Sequence, residues 1–246
     1  MLIDLNCDMG EGMGTDAAIF PFINSANIAC GYHAGDADTM RRTVELALWH
    51  QVAIGAHPSY PDRANFGRAD MLGKGVSLEE IPGLVVDQLI MLQAICDEFG
   101  VKLHHVKPHG ALYNRAARDI AVSAMICRAV REFDASLKLY GLSGSVMGVE
   151  AARHGLVFVH EVFADRTYLP DGSLTPRNMP GALIEDEEIA MAQVRKMVEE
   201  GRVAVAGGGE IAIKAETVCL HGDGNRAVEF AKKIHGYGWN RHDRQV

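Results

Sequence analysis

Five cysteines at positions 7, 30, 96, 127 and 219 form no CxxC pair, which argues against a disulfide framework or a structural zinc site and leaves reduced, mostly buried thiols as the expectation. No uninterrupted apolar run approaches the roughly 20 residues that span a bilayer. The start MLIDLNCDMGEG has no basic stretch followed by an apolar core, so no secretory leader is expected and the chain is placed in the cytoplasm. A long Lys/Arg run is also missing. With 24 basic against 32 acidic residues the formal charge is -8, which disfavours nucleic acid and anionic membrane as partners. No phosphate-binding loop is present: GRADMLGKG at 67–75 has five residues between its first two glycines and no Ser/Thr after Lys74, and neither GEGMG nor AGGGE is a dinucleotide fingerprint. Among Asp8, His33, His57, His109 and His221 no HExxH or HxxxH spacing occurs.

What remains is a chain of 246 residues, 48% hydrophobic, with 26 glycines and eleven histidines, long enough to bury a full core and rich in groups that titrate near neutrality. Seven short β-branched or apolar runs, at 2–6, 27–30, 52–56, 103–107, 137–142, 156–162 and 217–221, alternate with helical periodicity at 37–50, 78–99, 118–133, 146–154, 186–200 and 225–235. That alternation specifies βα units and a mainly parallel sheet. The runs are spread over the whole length without a linker or composition break, which favours a single domain, 1–246, closed into a seven-stranded β/α barrel over an open sheet. The stretch 202–214, with Gly207, Gly208 and Gly209 between two apolar runs, reads as a hairpin inserted before the last barrel strand.

A barrel of this kind builds its active site at the C-terminal ends of its strands. Six of the seven ends carry ionisable groups: Asp8 and Glu11 beside Asn6, then His33 and Asp36, then His57, then Lys107 and His109, then Glu161 with Asp165 and Arg166, and last His221 and Asp223. Glycine or proline flanks most of them, as expected where backbone turns tightly around a ligand. Strand alternation puts His105 on the face of Lys107 and His104 on the other; both, with His50, His154, His235 and His242, are assigned structural roles. Asp8, His33, His57 and His109, together with His221, offer ligands that a divalent metal could take; without metal the same groups could serve as general acid and base.

Taken together, DLNCDMGEGMG, NIACGYHAGD, IGAHPSYPD with FGR, VKPHGALYN, EVFADRTY and CLHGD resemble the LamB/YcsF family in order over 5–223. The small departures are Cys7 for a common serine, Met13 and Tyr32 for phenylalanine, and Ala69 for a frequent second arginine, where Arg68 remains. The resemblance implies an irregular seven-stranded barrel similar to the sugar deacetylase, or glycoside hydrolase/deacetylase, fold. It further implies cleavage of 5-oxo-L-proline to L-glutamate coupled to hydrolysis of ATP to ADP and phosphate, in a complex with B and C subunits. Phosphorylating the resonance-stabilised lactam oxygen turns it into a leaving group, and the enzyme then needs a cationic cradle, a base and an acid. On strand-end position and these blocks, Lys107 and Arg166 would hold anionic groups and Asp8 or Glu161 would be the base. His33, His57, His109 or His221 would donate protons or bind metal, and Asn6, Arg68, Asp165 and Asp223 would complete the substrate and phosphate contacts.

Two other readings stay open at this point. One is a stand-alone metal-dependent amide hydrolase or deacetylase, weakened because Asn6-Cys7-Asp8 stands where such enzymes carry an Asp-Asp pair. The other is a carrier subunit that presents substrate to its partners.

Overall fold

The computed structural model describes residues 3–220 and 227–238. The elements run β1 (Asp4–Met9), α1 (Asp16–Ile19), β2 (Ser25–Ala29), α2 (Ala37–His50), β3 (Ala53–His57), α3 (Ile81–Glu98), β4 (His105–Val106), α4 (Gly110–Ala116) and α5 (Ile120–Phe133). They continue with β5 (Lys138–Leu142), α6 (Val146–Arg153), β6 (Val157–Phe163), α7 (Glu187–Arg195), β7 (Arg202–Ala204), β8 (Glu210–Ala212), β9 (Thr217–Leu220) and α8 (Ala227–Gly236). Strands β1 to β6 and β9 form a closed parallel barrel, with β9 seated between β6 and β1. The glycine-rich stretch is the antiparallel hairpin β7–β8, outside the barrel. No helix among the described residues is long and apolar enough to cross a membrane.

Helix boundaries follow from local chemistry. Asp36 caps α2 by accepting from the Thr39 amide, and Gln51 ends it in a left-handed conformation. Asp119 caps α5 and Asp186 caps α7 in the same manner. Three features depart from the sequence expectation. Helix α4 follows β4 directly, where the Pro-His-Gly run reads as a turn, and residues 196–200 continue α7 as one π turn. Strand β1 also extends to Met9, so Asp8 stands on the strand and not in the loop beyond it.

The outward faces of the strands are apolar, with Leu5, Cys7 and Met9 of β1 and Ala26 and Ile28 of β2 buried in the core cluster. The inward faces are not the usual branched aliphatics. Asn6, Asn27, His105, Lys107, Glu161 and Thr217 are all buried and joined to one another by hydrogen bonds or ion pairs across the lumen, and the buried Ser25 donates to Asp4. Gly55 makes this packing feasible, because a Cβ there would lie 2.1 Å from His105 Nε2.

Candidate functional site

A cavity of about 1180 Å³ opens over the C-terminal ends of the strands. Its floor is Asp8, His57, Lys107 and His109, and its walls carry Arg68, Arg118, Arg166 and Arg177. The loop after β5 adds Ser143, Gly144 and Ser145, and hairpin residues Ile211 and Ile213 form part of the apolar side.

The floor is built around one buried ammonium group. Lys107 Nζ lies 2.9 Å from Asp8 Oδ1 and 2.8 Å from Glu161 Oε1, and donates also to Asn6 Oδ1 and Cys219 Sγ. Burial alone would lower its pKa, but the Asp8 carboxylate, with Glu161 beside it, holds it well above the ordinary lysine range. Tyr113 donates to the other Glu161 oxygen at 2.7 Å. Burial, followed by the adjoining Glu161 carboxylate, raises the Tyr113 pKa, so the phenol remains the donor.

Beneath the floor a single chain of hydrogen bonds runs through the barrel towards Asp8. Lys138 Nζ lies 3.0 Å from His104 Nε2, and His104 Nδ1 lies 3.2 Å from His105 Nδ1. His105 Nε2 meets Asn27 Oδ1 at 2.8 Å, and Asn27 Nδ2 donates to Asn6 Oδ1 and to Asp8 Oδ1. Burial, and then neighbouring cationic groups, lower the pKa of both His104 and His105, so both rings are neutral. An ammonium only donates, so His104 Nε2 accepts from Lys138 and His104 Nδ1 carries the hydrogen. His105 Nδ1 takes that bond and His105 Nε2–H donates onward. Every donor points towards Asp8, whose Oδ1 thus receives both Asn27 and Lys107.

Against one wall, His33, His57 and His109 pack as a cluster, with the rings of His33 and His109 stacked 3.8 Å apart. Glu11 Oε1 lies 3.1 Å from His33 Nε2, 3.5 Å from His109 Nδ1 and 4.0 Å from His57 Nε2. These four residues bring one candidate ligand atom each within 4.8 Å of one another, a group that could hold a metal ion. Burial, then the neighbouring His57 ring, lowers the His33 pKa to about 3; burial with His57 and His33 lowers that of His109 well below its usual value.

Seven of the residues singled out from sequence line the cavity: Asp8, Glu11, His57, Arg68, Lys107, His109 and Arg166. His33 and Glu161 touch them from behind. Asn6 is not a substrate contact as expected: fully buried, it spends its amide on Thr217, Asn27 and Lys107. Arg166 is also more committed than expected, since it donates to the Thr175 and Ala182 carbonyls, and its burial lowers its pKa to about 10. Asp165 is half-buried and outside the cavity lining. Among the metal candidates, Glu11 takes the place expected for Asp8. His221, Asp223 and His242 lie outside the described residues. Sequence reasoning missed Cys219 in the floor and the uncharged loop after β5, neither of which shows a titratable signature at neutral pH.

The match to known proteins agrees with this architecture. The LamB/YcsF family model matches residues 3–240. A protein of Tolumonas auensis, named as the A subunit of 5-oxoprolinase, is 52% identical over 237 residues, covering 94% of this chain and 93% of its own length. The protein of the same name from Bacillus cytotoxicus is 49% identical, with 95% and 93% coverage. The crystal structure of a lactam utilization protein from Thermus thermophilus superposes with a TM-score of 0.87 at 44% identity, covering 96% of this chain and 95% of that one.

Proposed function

The chain belongs to the LamB/YcsF family, and from that premise we propose that it is the A subunit of an ATP-dependent 5-oxoprolinase. With B and C subunits it opens 5-oxo-L-proline to L-glutamate as ATP is hydrolysed to ADP and phosphate. The names of its relatives and of its structural neighbour support the substrate. The observation that carries the reading is the Lys107 ammonium held between Asp8 and Glu161 at the floor of an arginine-walled cavity.

The chemistry asks for that arrangement. A lactam carbonyl is a poor electrophile, and transfer of the ATP γ-phosphoryl group to its oxygen, with release of ADP, activates it. Water adds to the same carbon, the ring C–N bond breaks as the nitrogen takes a proton, and an acyl phosphate remains. A second water cleaves it to glutamate and phosphate, so the sum consumes one ATP and two waters. Asp8 lines the cavity and accepts the proton of attacking water, its other oxygen fixed by Asn27 and Lys107. Lys107 offsets the negative charge that develops on oxygen. Arg68, Arg118 and Arg177 meet the substrate carboxylate and the phosphate, for which guanidinium is suited. Glu11, His33, His57 and His109 are the residues that would hold a divalent metal, which when bound polarises a carbonyl or activates water. The cavity exceeds what one small lactam fills, which leaves room for the phosphoryl group and for a segment of a partner protein.

The test is reconstitution. The purified chain is incubated with 5-oxoproline and ATP, alone and with B and C subunits, while glutamate and phosphate are followed. Glutamate appearing with phosphate only in the complete mixture supports the reading. Failure to release glutamate in the complete mixture contradicts it, and ATP-independent hydrolysis of simple amides by the chain alone returns the stand-alone hydrolase.

A further inference from the structure

The hydrogen count in the histidine cluster does not close. A neutral imidazole has one ring hydrogen. His57 Nδ1 lies 2.7 Å from the Lys107 carbonyl and His109 Nε2 lies 2.9 Å from the Phe66 carbonyl, and a carbonyl only accepts. Each ring therefore places its hydrogen on that outer nitrogen. The Ser59 hydroxyl gives its one hydrogen to the Tyr60 carbonyl at 2.9 Å, so His33 Nδ1, 3.0 Å from the same oxygen, is the donor there.

The three remaining nitrogens, His33 Nε2, His57 Nε2 and His109 Nδ1, thus carry lone pairs, and all three turn to the same place. His57 Nε2 faces His109 Nδ1 at 2.9 Å, and His33 Nε2 faces Glu11 Oε1 at 3.1 Å. A ring that gives its one hydrogen to the outer nitrogen has none to put into either contact. Lone pairs at these separations repel, and burial leaves little water to relieve them. One added proton closes one of the two contacts and leaves the other open, whereas a single divalent cation closes both.

We propose that Glu11, His33, His57 and His109 bind one divalent transition-metal ion of the zinc class. Three nitrogens and one carboxylate oxygen select such an ion over magnesium or calcium, which prefer all-oxygen surroundings. Metal-ligating histidines as a rule donate their second nitrogen to a carbonyl or similar acceptor, and the Lys107 carbonyl, the Phe66 carbonyl and Ser59 fill that role here. Bonds of about 2.1 Å to a tetrahedral ion hold ligand atoms roughly 3.4 Å apart, so a group spread over no more than 4.8 Å closes by side-chain rotations that draw its atoms together. Glu11, His57 and His109 line the cavity, so the ion faces the floor beside Asp8 and Lys107. The proposal stands on the convergence of these four side chains together with the hydrogen count, and does not depend on the lactam reading.

The experiment uses the full chain without a tag, stripped with dipicolinate and titrated with Zn²⁺, Co²⁺ or Mg²⁺ alone. Bound metal is assayed after desalting, and the Co²⁺ form is examined for visible d–d absorption. One equivalent of Zn²⁺ or Co²⁺ is expected, with Zn²⁺ displacing Co²⁺ and no retention of Mg²⁺. Glu11→Gln keeps the shape of the side chain and should lower Zn²⁺ affinity at least ~10-fold with an unchanged far-ultraviolet circular dichroism spectrum. His33→Gln should do the same, and if it fails to fold, Glu11→Gln decides. Absence of stoichiometric uptake by the parent chain, or unchanged affinity in Glu11→Gln, overturns the proposal.

Discussion

Lys107 keeps its charge in the interior because two carboxylates accompany it. Removing it as Lys107→Met would strand Asp8 and Glu161 without a counter-ion, a change that costs about 3–5 kcal/mol when a buried pair is broken. Denaturant unfolding should show that loss, and Glu161→Gln added to Lys107→Met should recover part of it. A single variant as stable as the parent would mean that the ammonium is not compensated in this way. Residues of this kind are legible in the sequence because charge at a strand end is visible there. Glu11 is less so: it sits in a glycine-rich turn, and only folding brings it back onto three histidines from other strands. Cys219 reads as core filler, as buried thiols usually are, although its sulfur lies 3.1 Å from Lys107 Nζ.

At the level of elements, the seven barrel strands and most helices follow the periodicity of the sequence, because period-2 and period-3.6 patterns survive wherever one face is apolar. What periodicity could not convey is that the barrel is polar inside, since strand faces that point into a lumen and faces that point to solvent look alike. Helix α4 escapes for a different reason: it starts at Gly110, whose φ of +56° and close approach to the Gly67 carbonyl demand glycine, a residue that signals a turn. Gly55 serves the lumen. Gly55→Ala should push His105 off Asn27 and destabilise the protein by about 1–3 kcal/mol, the range for overpacking a filled interior. Calorimetric unfolding checks this, and an unchanged midpoint would show that His105 has other room.

Over the whole molecule, the formal charge of -8 coexists with a cavity lined by Lys107 and four arginines, so the surface repels polyanions while the mouth suits a small anion. All five thiols are buried, and burial raises the pKa of Cys30, Cys96 and Cys127 to about 12. At pH 8 a thiol at that value is ionised to roughly one part in 10⁴, so the native chain should resist alkylation while the denatured chain reacts at every cysteine. Mass spectrometry after iodoacetamide treatment reads the difference, and rapid labelling of the native chain would contradict the burial.

On the proposed function, Asp8, in a floor fixed by Lys107, Glu161 and Asn27, carries out the water chemistry of lactam opening. The most direct test of that role is glutamate release by Asp8→Asn in the complete three-subunit mixture, with 5-oxoproline and ATP saturating. The isosteric amide keeps the shape of the floor and removes the base, so the rate should fall at least ~10²-fold. Turnover close to that of the parent chain would take Asp8 out of the chemistry.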